Sequence, residues 1–307
     1  MRASANRGLS SAALSRLVAL DMPRVASGLA IEAAWATAHL VMYPFGLLST
    51  STRAVADRRR HDLTDLSPEQ RGLFHYRVDA AETPIVLVHG IIDNHAIFTV
   101  MEYALRRRGF QTLSTYDYGL LTDSIPGAAA RLGEAIEELS AATGYERIHV
   151  IGHSLGGLIA RYYVQRLGGD RLVHTLVTLG TPHQGTQLAW AAPLLPLVRQ
   201  LTPNSSVIHE LAEPAPQCHT RFIAFYSDID HLVVPSRNAR LNHPDLNVQN
   251  IPVRGIGHLS MPNNGRIAFT ITQALRELDP DGAPTVCLIS SSVFDWTPEA
   301  GQTTCER

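Results

Sequence analysis

Ser154 stands in the run Gly152-His153-Ser154-Leu155-Gly156, between the apolar stretch Arg147 to Ile151 and a second one, Leu158 to Val164. That order reads as strand, sharp turn, helix. A serine on such a turn has its hydroxyl pushed out at the C-terminal end of a parallel sheet. The flanking glycines leave room for neighbouring backbone where Cβ atoms would obstruct. The next helix aims its first N–H groups at the same spot, where negative charge develops during acyl transfer. These residues suit attack by a serine oxygen on an acyl carbon. The alternative is a small-residue turn with a structural serine, and the flanking strand and helix weigh against it.

A serine hydroxyl needs a base to take its proton. Histidine is the usual one, because its pKa lies near working pH. In a sheet of this kind the acid and then the base follow the serine, on loops after late strands. His258 ends Val253-Arg254-Gly255-Ile256-Gly257-His258, a glycine-rich loop after the last apolar run. His243, before Pro244 in a polar loop, is its rival. Two carboxylates compete for the acid, Asp228 and Asp230 in Ser227-Asp228-Ile229-Asp230-His231-Leu232-Val233. An aspartate can also build a turn by bonding nearby backbone. Two backbone donors for an oxyanion are expected at Leu155, next to the nucleophile, and at Ile91 in His89-Gly90-Ile91 after an early strand. His89 suits the ordering of that loop by hydrogen bonding, and a residue that merely ends the strand is the alternative.

The elements that must position these groups alternate along the chain. Ile85 to Val88 is a short apolar run, as in a buried parallel strand. Asn94 to Arg108 reads as a helix with Ile97, Phe98, Met101, Ala104 and Leu105 on one face, ended by Gly109. Ser124 to Ala142 reads as another, with Pro126 in its first turn. Further strands are expected over 111–116, 171–179, 221–226 and 248–253, and a last helix over 267–278. The pattern predicts an α/β protein with a doubly wound, mostly parallel sheet. From Gln187 to Pro216 the rhythm breaks into leucines and valines among five prolines. We expect a helical cap or lid there, with Leu194 and Leu197 touching substrate. A helical excursion that fills out the core is the alternative.

The 307 residues carry a net charge of −2, which offers nothing to nucleic acid. Every basic residue is arginine, which excludes a lysine nucleophile or Schiff base. Cys218, Cys287 and Cys305 form no zinc pattern. Cys287 and Cys305 could pair in an oxidising compartment or stand as free thiols. Residues 1–63 read as a helical N-terminal extension, and 62–71 as a linker. A catalytic domain is expected over 73–279 and a tail over 280–307. Val25 to Leu48 is long and apolar enough to span a bilayer, for which ~20 residues suffice. It contains Glu32, and arginines lie on both sides of it. A membrane-surface anchor, a packed helix and a true span are the competing readings. They leave the location open between membrane-associated or extracytoplasmic and cytoplasmic, and the oligomeric state is undetermined.

The chain resembles the α/β-hydrolase superfamily, and within it the bacterial triacylglycerol lipases. The resemblance rests on Val88-His89-Gly90-Ile91, Gly152-His153-Ser154-Leu155-Gly156-Gly157, Gly180-Thr181-Pro182-His183-Gln184-Gly185, the Asp230-x-x-Val233 segment and Gly255-Ile256-Gly257-His258. It covers about Thr83 to Leu278. It implies an α/β-hydrolase fold and hydrolysis of lipid acyl esters without a cofactor. Ser154 would be nucleophile, Asp230 acid and His258 base. Some lipases of this kind carry a structural calcium, but no acidic cluster here suggests one. An acyltransferase or thioesterase on the same residues, and a non-catalytic membrane-associated binding protein, are the competing functions.

Overall fold

Strand β1 (Ile85–Val88) is buried on both faces because it lies inside a sheet covered on both sides. The computed structural model describes residues 83–91, 95–118, 122–192 and 194–276. The remaining strands are β2 (Leu113–Tyr116), β3 (Ile148–His153), β4 (Val173–Leu179), β5 (Arg221–Ser227) and β6 (Asn247–Val253). All pair in parallel, in the order β2-β1-β3-β4-β5-β6. The order reverses between β1 and β3. In an open parallel sheet the crevice beyond the strand ends at such a switch is where ligands bind.

Alternation along the strands sorts two apolar layers. Ile85 and Leu87 face helices α1 (Thr99–Arg107) and α6 (Gly265–Arg276), with Met101, Leu105, Ile267 and Ile271 in that core. Val86 and Val88 face α2 (Ile125–Thr143) and α3 (Leu155–Arg166), with Leu132, Ile136, Leu158 and Ile159. The helix ends are set locally. Ser124 caps α2 by accepting from the Gly127 N–H, and Gly144 closes it with φ 77°.

The segment from Gln187 to Pro216 divides in two. A short 3₁₀ turn (Gln187–Ala191) and helix α4 (Pro196–Arg199) come first, then α5 (Ser206–Ala212). Leu201, Val207, Ile208 and Leu211 are buried in the main core, so this half fills out the fold. Leu188, Trp190, Leu194 and Leu195 are exposed. The N-terminal extension, the linker, the C-terminal tail and the Cys287–Cys305 question lie outside the described residues. Among the described residues no helix is long and apolar enough to cross a membrane.

Candidate active site

Ser154 links β3 directly to α3 with φ 53° and ψ −122°, and among the described residues it is the one non-glycine with positive φ. Such a conformation costs about 1–3 kcal/mol and persists where the surroundings enforce it. Here they do. The Ser154 N–H donates to the Leu179 carbonyl at 2.9 Å. A Cβ on Gly156 would lie 2.2 Å from the Val88 carbonyl oxygen, and one on Gly152 would lie 2.4 Å from the Gly157 Cα. The start of α3 is therefore pressed against the end of β1, which only glycine permits.

Adjacent strands bring the partners to the same edge. His258, after β6, has its Nδ1 2.8 Å from Asp230 Oδ2, after β5, and both side chains are shut from solvent. Asp230 Oδ1 accepts from the Leu232 and Val233 N–H groups, both at 2.9 Å. Burial alone would raise the Asp230 pKa. The adjacent His258, the hydrogen bond it makes and those two amides outweigh burial and hold the carboxyl below its ordinary range. A side chain at Gly180, next to Leu179, would come 3.0 Å from His258 Nδ1 and 3.1 Å from Asp230 Oδ2. The Asp230–His258 pair and the Ser154 turn thus flank the same end of β4.

The alternatives go elsewhere. Asp228 accepts from the Gly255 N–H at 3.0 Å, tying the loop that carries His258 to the end of β5. His243 contacts the Glu213 carbonyl and Gln165 through Nε2 and accepts from the Asp245 N–H. Leu155 is buried as the first residue of α3, and Ile91 is half-buried against the same core. Val88, three residues before Ile91, pairs in register with Gly152, three residues before Leu155. Leu197 packs half-buried on the core, whereas Leu194 is 93% exposed. Leu194 therefore lines no enclosed pocket in this structure, because the turn that carries it stands off the core. Among the described residues no three His, Cys, Asp or Glu side chains converge as a metal site.

Three residues of the site carried no recognised signal in the sequence. His153 Nε2 lies 3.1 Å from the His258 carbonyl oxygen, and the two rings tilt together at 4.9 Å. Tyr118 bonds the loop after β1. Arg161 is buried on α3 and donates to the His183 carbonyl at 3.1 Å, the Leu211 carbonyl at 2.8 Å and Gln165 Oε1 at 3.0 Å. Burial, helped by nearby Arg166, lowers its pKa to about 9. It fastens α3 to the loop after β4 and to α5. An arginine inside an otherwise apolar helix was the one hint available.

A turn-borne serine, a buried acid–histidine pair and a covered parallel sheet define a class, and comparison with known proteins agrees. A family model of the alpha/beta hydrolase fold matches residues 83–243, more than half of the chain, and the protein belongs to that family. The chain is 32% identical over 117 residues to a triacylglycerol lipase of Pseudarthrobacter phenanthrenivorans, covering 36% of each chain. It is 32% identical over 134 residues to a triacylglycerol lipase of Vibrio cholerae, covering 42% of this chain and 40% of that one. The chain thus spans well under half the length of these relatives. Among solved structures, the mature Bacillus licheniformis lipase BlEst2 superposes with a TM-score of 0.54 at 19% identity. That match covers 64% of this chain and 93% of the lipase, and it speaks to the fold.

Proposed function

We propose that the protein is a serine ester hydrolase that cleaves acyl esters of lipids, acylglycerols foremost. The observation that carries this reading is the buried 2.8 Å Asp230–His258 pair at the sheet edge that holds the strained Ser154 turn. Ser154 Oγ bonds to the ester carbonyl carbon and its proton passes to His258 Nε2. The carbonyl π pair moves onto oxygen, where the Leu155 and Ile91 amides receive it. Asp230 orients the ring and stabilises its cation. The bond to the alcohol oxygen then breaks, and that oxygen takes the proton from His258. Water repeats the sequence on the acyl-enzyme and the fatty acid leaves.

The partial similarity to triacylglycerol lipases supports lipid esters as substrates. The exposed run Leu188, Trp190, Leu194 and Leu195 supports contact with apolar material. The apolar stretch Val25 to Leu48 supports attachment at a membrane surface. The deciding experiment is fluorophosphonate labelling of wild type and Ser154→Ala, alongside hydrolysis of p-nitrophenyl esters and emulsified triglyceride. Labelling and turnover that vanish together in Ser154→Ala are expected. Labelling that persists in a folded Ser154→Ala protein would overturn the assignment.

A further inference from the structure

The Gly90–Ile91 peptide is held by its oxygen. Val88 and Tyr116 are the last register pair of β1 and β2, and Gly90 and Tyr118 each lie two residues beyond it. There the Tyr118 hydroxyl donates to the Gly90 carbonyl oxygen at 2.5 Å. His89 Nδ1 lies 2.8 Å from the same oxygen. The two rings stack, with centroids 4.5 Å apart and planes 22° from parallel. Both are buried, and His89 Nε2 lies 3.0 Å from Asp117 Oδ1. One carbonyl oxygen thus meets the Tyr118 hydroxyl and a His89 ring nitrogen at a position where the chain has already left β1.

The consequence lies on the far side of that peptide. In a planar trans peptide the C=O and the next N–H point in opposite directions. Fixing the Gly90 oxygen therefore fixes the aim of the Ile91 N–H. Donation to the oxygen also polarises the amide, and hydrogen bonds in such a chain strengthen one another. An oxyanion donor is most effective when its direction is set before charge develops.

We propose that Tyr118, with His89 stacked on it, is a positioning residue that aims and polarises the Ile91 N–H for the oxyanion. The proposal rests on the Ser154 acyl-transfer reading. Tyr118 touches no reacting atom and acts through one peptide bond.

The test is Tyr118→Phe, which removes one oxygen from the ring, with rates expressed per fluorophosphonate-labelled site. Loss of a whole oxyanion donor costs about 10²–10³ in kcat, so a misaimed donor should cost about tenfold. KM for p-nitrophenyl butyrate should stay within about twofold, because the oxyanion forms after binding. A trifluoromethyl ketone, whose serine adduct carries the same oxyanion, should lose affinity by the factor lost in kcat/KM. A merely structural hydroxyl would lower the melting temperature and leave that correspondence absent.

His89→Asn and His89→Ala give an independent comparison, since an Asn amide nitrogen can stand where His Nδ1 stands. Asn should retain most of the ketone affinity and Ala should lose it. Unchanged ketone affinity in folded Tyr118→Phe, or equal losses in the two His89 variants, would overturn the proposal. Absence of wild-type labelling would remove the acyl-transfer reading itself, and this inference with it.

Discussion

Replacing Asp230 by asparagine changes one atom in the buried pair. The Asn oxygen can keep the bonds from the Leu232 and Val233 N–H groups, which leaves the amide nitrogen facing His258 Nδ1 at about the present 2.8 Å. That nitrogen donates, so Nδ1 must accept. The ring proton then sits on Nε2, which can no longer take the Ser154 proton. The site also loses the carboxylate that stabilises the imidazolium. In a serine triad of known mechanism the same change costs about 10⁴ in kcat, equivalent to about 5 kcal/mol of barrier. Asp228→Asn should cost only a few-fold. Its oxygen can still accept from the Gly255 N–H, and it makes no bond to the base. The assay is kcat and KM for p-nitrophenyl butyrate at saturating pH, with thermal melting to confirm the fold. A recovered rate at alkaline pH would fit the Asn mechanism. Equal damage from the two variants, or a larger loss from Asp228→Asn, would refute the assignment of the acid.

Three further outcomes are expected. His149, inside β3, is wholly buried, and neither ring nitrogen has a hydrogen-bond partner. Burial, with His174 and Arg221 adding, lowers its pKa to about 3. The unfolded chain therefore binds the extra proton first, as pH falls below about 6.5. Its contribution to stability is complete above that pH and is lost as pH falls towards 3, by about 2 kcal/mol at pH 5. Urea denaturation of His149→Leu should show a larger gain over wild type at pH 5 than at pH 7, and an equal gain would contradict the burial argument. Deleting residues 1–60 should leave hydrolysis of soluble short-chain esters intact and reduce recovery with membranes, measured by fractionation; equal soluble recovery of both forms removes the membrane reading. Polar replacement of the exposed Leu188, Trp190, Leu194 and Leu195 should weaken hydrolysis of emulsified triglyceride more than that of p-nitrophenyl butyrate. A common factor on both substrates would show that the run does not meet lipid.

Much of the fold is written in local chemistry. Short apolar runs ending in glycine, and amphipathic helices with Ser124 and Gly144 at the ends of one of them, need only neighbouring residues to be read. The Ser154 turn is local too, because glycine, serine and the next helix lie within one stretch of chain. What passes between strands was not legible in this way. Asp228 and Asp230 differ by two residues, and only the crossing of the loops after β5 and β6 decides which carboxylate meets His258. The stretch from Gln187 to Pro216 read either as one cap or as one core-filling excursion, yet half of it packs on the core and half faces solvent. Hydrophobicity records an appetite for burial, not the surface that satisfies it. Tyr118 is the clearest case. It is an ordinary aromatic residue past a strand end until the fold sets its hydroxyl against the Gly90 carbonyl. The sequence by itself determined the residue types and their order along a doubly wound sheet. Tertiary structure alone decided which of them share an atom's reach, because that depends on register and crossover between segments far apart in the chain.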